Sequence, residues 1–219
     1  MAKAPNGING PVSGKIGNAV FYSVGEDHFA RSLPQKRSGK KTKKEKSNTG
    51  GFAKVQSFMK PIKVFLRVGF KNYGSKTGGY KAAVSYALKN AVEGEYQDRY
   101  VNPEKIRVSG GELHFPITAS ATLKNDNILQ FNWSTEIGEN GNSYDQVFML
   151  AYAPPENETL SGRKEGQAIG AFRYSGTDEL QLFSDNEVVE YHVYMGFVSK
   201  DRTSQAHSMY MGKVVVPAK

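Results

Sequence analysis

The chain has 219 residues, with 29 Lys and Arg against 21 Asp and Glu and no Cys, a length that suits one large domain or two small ones. Without Cys, disulfide frameworks, thiolate metal sites and a Cys nucleophile are excluded. No run approaches the roughly 20 apolar residues of a membrane helix, and the opening MAKAPNGINGPVSGK lacks a signal-peptide core. The expectation is therefore a soluble, basic protein of the cytoplasm, with no membrane partner.

Residues 1–18 carry Gly7, Gly10, Gly14 and Gly17 with Pro5 and Pro11, which reads as an irregular arm. Residues 19–24 and 28–33 are strand-like runs around Gly25-Glu26-Asp27, predicting a β-hairpin that Pro34 ends. The densest charge follows: Arg31, Lys36, Arg37, Lys40, Lys41, Lys43, Lys44 and Lys46, against Glu45 alone. Like charges this close, with little apolar between them, predict an extended segment until an anionic partner neutralises it.

Helical periodicity runs through residues 52–70, where Phe52, Val55, Phe58, Met59, Ile62, Phe65 and Leu66 form an apolar stripe. Lys60, Lys63, Arg67 and Lys71 recur at the same spacing on another face. Pro61 either kinks this helix or marks the first position of a second one. Residues 80–92 predict a further helix whose small face, Ala83, Val84, Ala87, Leu88 and Ala91, suits close helix packing, with Gly94 placed as its C-terminal cap.

After Asn102-Pro103 the texture changes to alternating runs at 113–123, 128–134, 146–153, 168–174, 179–183, 189–199 and 208–216, separated by turn residues. Seven short strands at this spacing predict an immunoglobulin-like or fibronectin type III-like sandwich. Leu129, Phe131 and Trp133 would face its core, and residues 146–153, apolar on both parities, would be central. The fold class is thus α+β: a Gly-rich arm, hairpin and two-helix region over 1–103, then an all-β sandwich over 104–219. Charge divides in the same sense. Residues 1–110 hold 21 basic and 7 acidic side chains, a net of +14; residues 111–219 hold 8 and 14, a net of −6.

Fragments with catalytic overtones do not assemble. Ser57 and Lys60, Lys76-Thr77-Gly78 and Ser184-Asp185-Asn186 resemble the penicillin-binding set, but the S-D-N element should fall between the other two. Residues 69–77 approach a phosphate loop, yet Ser75 stands where Gly must precede Lys76. His28, His114, His192 and His207 lack ligand spacing. No enzymatic activity, cofactor, metal or small-molecule substrate is expected.

Ser13-Gly14-Lys15-Ile16-Gly17-Asn18, the aromatic hairpin ending in Arg31 and Pro34, residues 83–92 and Tyr210-Met211-Gly212 together resemble an uncharacterised Bacteroidota family. That resemblance covers most of the chain and implies a C-terminal sandwich without an established activity. The Gly-x-x-Gly, aromatic-hairpin, Arg-x-x-Pro opening is also similar to phage and prophage structural proteins, which implies an assembly role and a place in a virion as the alternative to the cytoplasm.

The expectation is a non-enzymatic structural or assembly protein, a component of a phage or phage-like particle, forming a homo-oligomer or larger assembly. Its contacts with an anionic partner or neighbouring subunits would run through the tract from Arg31 to Lys46 and the Lys60, Lys63, Arg67 and Lys71 face. The alternative is sequence-nonspecific nucleic-acid binding through the same cations.

Overall fold

In the computed structural model, which describes residues 2–4, 10–36, 38–74, 78–95, 98–155, 162–184 and 186–218, the chain divides into two compact units, residues 1–42 and 43–219. The division falls well before the expected boundary after residue 103.

The first unit is an antiparallel sheet of β1 (Gly14–Ile16), β2 (Ala19–Val24) and β3 (Asp27–Ser32), in that order. Two-residue turns join them, Gly17-Asn18 and Gly25-Glu26, each with glycine first and at positive φ, 55° and 63°. That is the position where a hairpin turn matching strand twist demands glycine. The arm expected to be irregular over 1–18 therefore contains a strand, and a further bridge ties Lys3 to Ser13.

The second unit holds α1 (Lys43–Met59), α2 (Lys63–Gly69), α3 (Gly79–Asn90), a short hairpin of β4 (Val92–Glu93) and β5 (Tyr100–Val101), and seven further strands. These are β6 (Ala119–Leu123), β7 (Ile128–Trp133), β8 (Gln146–Ala153), β9 (Arg163–Gln167), β10 (Thr177–Gln181), β11 (Val189–Val198) and β12 (Met209–Val216). They form two antiparallel sheets, β10-β7-β6 and β12-β11-β8-β9. The chain is α+β. No helix among the described residues is long and apolar enough to cross a membrane.

The two apolar parities of β8 explain the layering. Val147, Met149 and Ala151 join Leu129, Phe131 and Trp133 of β7 and Tyr191, Val193, Met195 and Phe197 of β11 in a core between the sheets. Phe148, Leu150 and Tyr152 point the other way and, with Tyr194 and Val198, pack beneath Val55, Phe58, Ile62, Leu66 and Phe70 of the helical layer. Phe58 meets Tyr152 edge-on at 5.2 Å, and the Tyr152 hydroxyl donates to the Phe58 carbonyl at 2.7 Å. The helices are therefore the third layer of one unit, and Ala83, Val84, Ala87 and Ala91 are buried in it.

Several sequence expectations change. The helix begins at Lys43 rather than Phe52, so Lys43, Lys44 and Lys46 are helical and not part of an extended linker. Its first turns dock through Ser47 and Gly51, which are buried but carry no apolar signature. A Cβ on Gly51 would stand 3.2 Å from Arg99 Nη1 and 3.6 Å from Val92 Cγ1. Pro61 lies in the turn between α1 and α2, one residue before the Ile62 cap, so it separates two helices. Ala91, not Gly94, caps α3; Gly94 (φ 81°) turns the β4–β5 hairpin.

Residues 168–174 form no strand. The strand beside β8 is instead β9, a polar edge whose Gly166 admits the Phe65 ring. The run expected at 113–123 pairs only from Ala119, while Leu113 makes an isolated bridge to Ala206.

Candidate functional site

A helix that starts at Lys43 sets Lys43, Lys46, Gly50 and Lys54 along one stripe, since positions three and four apart share a face. The β4–β5 loop supplies Arg99 opposite, and together they line a groove of about 780 Å³ rimmed by Glu95 and Asp98. Gly50 leaves its floor open, because a Cβ there would meet no atom within 4 Å. Arg99 Nη1 donates to the Ser47 carbonyl at 3.5 Å and to Asn48 Oδ1 at 3.4 Å, while Lys54 Nζ donates to the Arg99 carbonyl. Four cations against two carboxylates make the groove a place where a polyanion or an acidic protein surface is favoured.

The hairpin that carries Arg99 is pinned by Glu93. Its carboxylate takes Lys105 Nζ at 2.7 Å, the Tyr100 hydroxyl at 2.6 Å and Asn102 Nδ2 at 3.1 Å. The Lys105 bond, then those from Tyr100 and Asn102, hold the carboxyl at about 2, far below its ordinary 4.5. A depressed folded pKa stabilises the fold fully above the unfolded value and ceases to do so as pH falls through the folded one. Wild-type stability is thus expected to fall from about pH 5 towards pH 2, and Glu93→Gln to flatten that decline. Urea melts across an acid pH series measure it; identical slopes for both proteins would overturn it.

The expected contact residues are dispersed. Arg31 sits in β3 with its guanidinium 5.7 Å from the Tyr22 ring centre. Lys36, Lys40 and Lys41 are exposed outside helices and strands, and Arg37 lies outside the described residues. Lys43 and Lys46 enter the groove, whereas Lys44 is exposed on α1 without lining it. Lys60, Lys63, Arg67 and Lys71 remain an exposed row on α2 and its flanking turns, with Lys63 Nζ 5.4 Å from the Tyr80 ring. Lys54 and Arg99 were not anticipated; Lys54 joins the stripe only once the helix start is known, and Arg99 only once β4 and β5 pair.

The structure also reveals an aromatic cluster at one end of the sandwich. Tyr144 precedes β8, Phe172 and Tyr174 lie between β9 and β10, and Lys200 follows β11. Phe172 and Tyr174 stack at 5.5 Å and 18°, Tyr144 stands edge-on to both at 5.9 Å, and Lys200 Nζ lies 4.8 Å from the Tyr144 ring. Tyr144 and Tyr174 are about half exposed, at 50% and 55%.

Between the two stacked residues, Arg173 points inward and is wholly buried. Its Nε lies 3.3 Å from Asp145 Oδ2, its Nη2 donates to the His114 carbonyl at 2.7 Å, and its guanidinium covers the Phe197 ring at 4.2 Å. Trp133 Nε1 donates to the Arg173 carbonyl at 2.8 Å. Burial pushes the Asp145 carboxyl up and the Arg173 guanidinium down, against their mutual attraction. One buried cation thereby turns its two aromatic neighbours outward.

The catalytic fragments stay apart from any such site. Ser57 lies on α1, the Ser184 hydroxyl donates to the Pro217 carbonyl at 2.6 Å, and residues 75–77 and 185 lie outside the described residues. His192 Nδ1 meets the Tyr210 hydroxyl at 3.0 Å, and burial lowers its pKa. Among the described residues no cluster of His, Asp or Glu could hold a metal ion. A comparison with curated proteins finds no match. A family model does match, over residues 11–212, from the first hairpin through the helical layer to the last strand. The sheet unit and the layered unit thus lie within one family pattern, and the chain belongs to that family, a family of unknown function designated DUF6266.

Proposed function

We propose that the chain is a non-enzymatic structural or assembly protein, a component of a phage or phage-like particle, that grips an anionic partner or the acidic surface of a neighbouring subunit. The observation that carries this reading is the groove in which Lys43, Lys46, Lys54 and Arg99 converge. A mobile charged tract must be ordered on binding, whereas cations on a packed helix meet a partner with that cost already met. The strand order β10-β7-β6 against β12-β11-β8-β9 supports an immunoglobulin-like or fibronectin type III-like sandwich. Its aromatic end, with Tyr144 and Tyr174 half exposed, has the composition of contact surfaces.

The groove equally favours the second reading, sequence-nonspecific nucleic-acid binding, because phosphate neutralisation needs only clustered cations. Light scattering at low and high salt, beside a fluorescence titration with duplex DNA, separates the two. Salt-sensitive self-association lost on changing Lys43 and Lys46 together to Ala is the expected result. DNA binding whose salt slope falls by about 2 in the same variant would promote the second reading. No salt-sensitive association of either kind would sink both.

A further inference from the structure

Among its described residues the first unit shows no core of its own: every β3 residue is exposed, and none of the described residues of 1–42 is a buried core residue. A sheet this small is stable only when something else completes it. One of its edges, β1, is three residues long and begins at Gly14 with φ 116°; the other, β3, runs for six. An exposed strand of that length is a template for pairing with another chain.

The register of the hairpin decides which β3 groups are available. A two-residue turn between Val24 and Asp27 makes those residues a hydrogen-bonded pair, and pairs then alternate along the ladder. The Leu33 N–H donating to the Asn18 carbonyl at 2.6 Å, the next bonded position, has the same phase. Asp27, Phe29 and Arg31 therefore spend their backbone groups on β2. His28, Ala30 and Ser32 turn theirs to the open edge.

The side chains select the partner. Asp27, Phe29 and Arg31 share one face, with a carboxylate and a guanidinium placed symmetrically about an aromatic ring. We propose that β3 pairs antiparallel with β3 of a second copy of this chain, about a two-fold axis through Phe29. In that register His28 bonds to Ala30 of the other copy, matching the outward groups. Asp27 then stands across from Arg31, twice, and the Tyr22–Phe29 stack, 5.6 Å between rings, continues into its symmetry mate. Shifting the register one way would oppose Asp27 to Phe29; shifting it the other way would oppose Arg31 to Phe29 and then Arg31 to itself. Only the Phe29 axis sets opposite charges across from each other at both ends. Self-complementarity of this kind is what a two-fold interface requires.

This rests on the assembly reading and names its partner, but uses a surface other than the groove. Because the chain has no Cys, a single introduced thiol reports the axis directly. In a non-hydrogen-bonded antiparallel pair the Cα atoms lie about 4.5 Å apart, within disulfide reach. Phe29→Cys in the full chain is expected to give an oxidised dimer on a non-reducing gel, and Ala30→Cys to give little.

Light scattering supplies the second arm. Asp27→Arg and Arg31→Asp should each abolish the dimer, and the two together should restore it, with circular dichroism confirming that all three variants fold. A wild-type chain that stays monomeric across the concentration series, stronger crosslinking at position 30, or a double swap that fails to restore association would overturn the proposal. Replacing Lys43 and Lys46 by Ala should leave crosslinking at position 29 intact. A wild-type chain that shows no salt-sensitive association through the groove while position 29 still crosslinks would therefore count against the assembly reading of the groove alone.

Discussion

Arg173→Leu is expected to destabilise the second unit by about 3–5 kcal/mol, the cost of leaving a buried charge without its partner. Asp145 is 1% exposed, and its remaining bond is the Asn142 N–H at 2.7 Å. Leucine cannot reach the His114 carbonyl either. Urea unfolding measures the loss as a lower midpoint with an unchanged slope. A drop within 1 kcal/mol would show that the pair contributes little. Replacing Asp145 by Leu as well should recover part of the stability, because paired hydrophobic substitutes for a buried ion pair are often tolerated. Full recovery is not expected, since the Asn142 N–H and the His114 carbonyl would still lack partners. Tyr144 and Tyr174 provide a second readout: without Arg173 to anchor the loop, their near-ultraviolet dichroism should weaken.

Residues 104–219 produced alone are expected not to fold cooperatively, whereas residues 43–219 are. Removing the helices uncovers Phe148, Leu150, Tyr152, Tyr194 and Val198 on the four-stranded sheet. Burial of each such side chain stabilises by about 1.5–3 kcal/mol, so together they match the roughly 5–15 kcal/mol that holds a domain folded. The Tyr152 and Tyr194 hydroxyls would also lose the Phe58 and Pro103 carbonyls, their acceptors at 2.7 and 2.8 Å. A sigmoidal urea transition and native-like dichroism from 104–219 would overturn this and restore the boundary expected after residue 103.

The same five residues show how far local pattern reaches. Alternation in 128–134 and the doubly apolar run 146–153 were legible because each residue's neighbours along the strand report its face. The hairpin turn at Gly25 was legible for a similar reason, since glycine at the first turn position is a local steric requirement. The turn at Gly17 went unread because β1 is only three residues long. The α1 start was not legible, because Ser47 and Gly51 are buried by their smallness, and smallness matters only once Arg99 and Val92 lie against them. The polar strand β9 was missed likewise, since it pairs as an edge and buries little of its own. Arg173 read as part of a strand over 168–174, and its inward turn came only from Asp145, Phe197 and the His114 carbonyl closing around it.

Periodicity, turn chemistry and the imbalance of charge between the two halves were thus determined by the amino-acid order itself, as each depends on residues a few positions apart. The groove at Lys43, Lys46, Lys54 and Arg99, the outward-facing aromatic cluster and the helical third layer were decided by tertiary structure alone. They join residues tens of positions apart, and the free energy that selects them comes from burying surfaces against each other rather than from any segment's own preference.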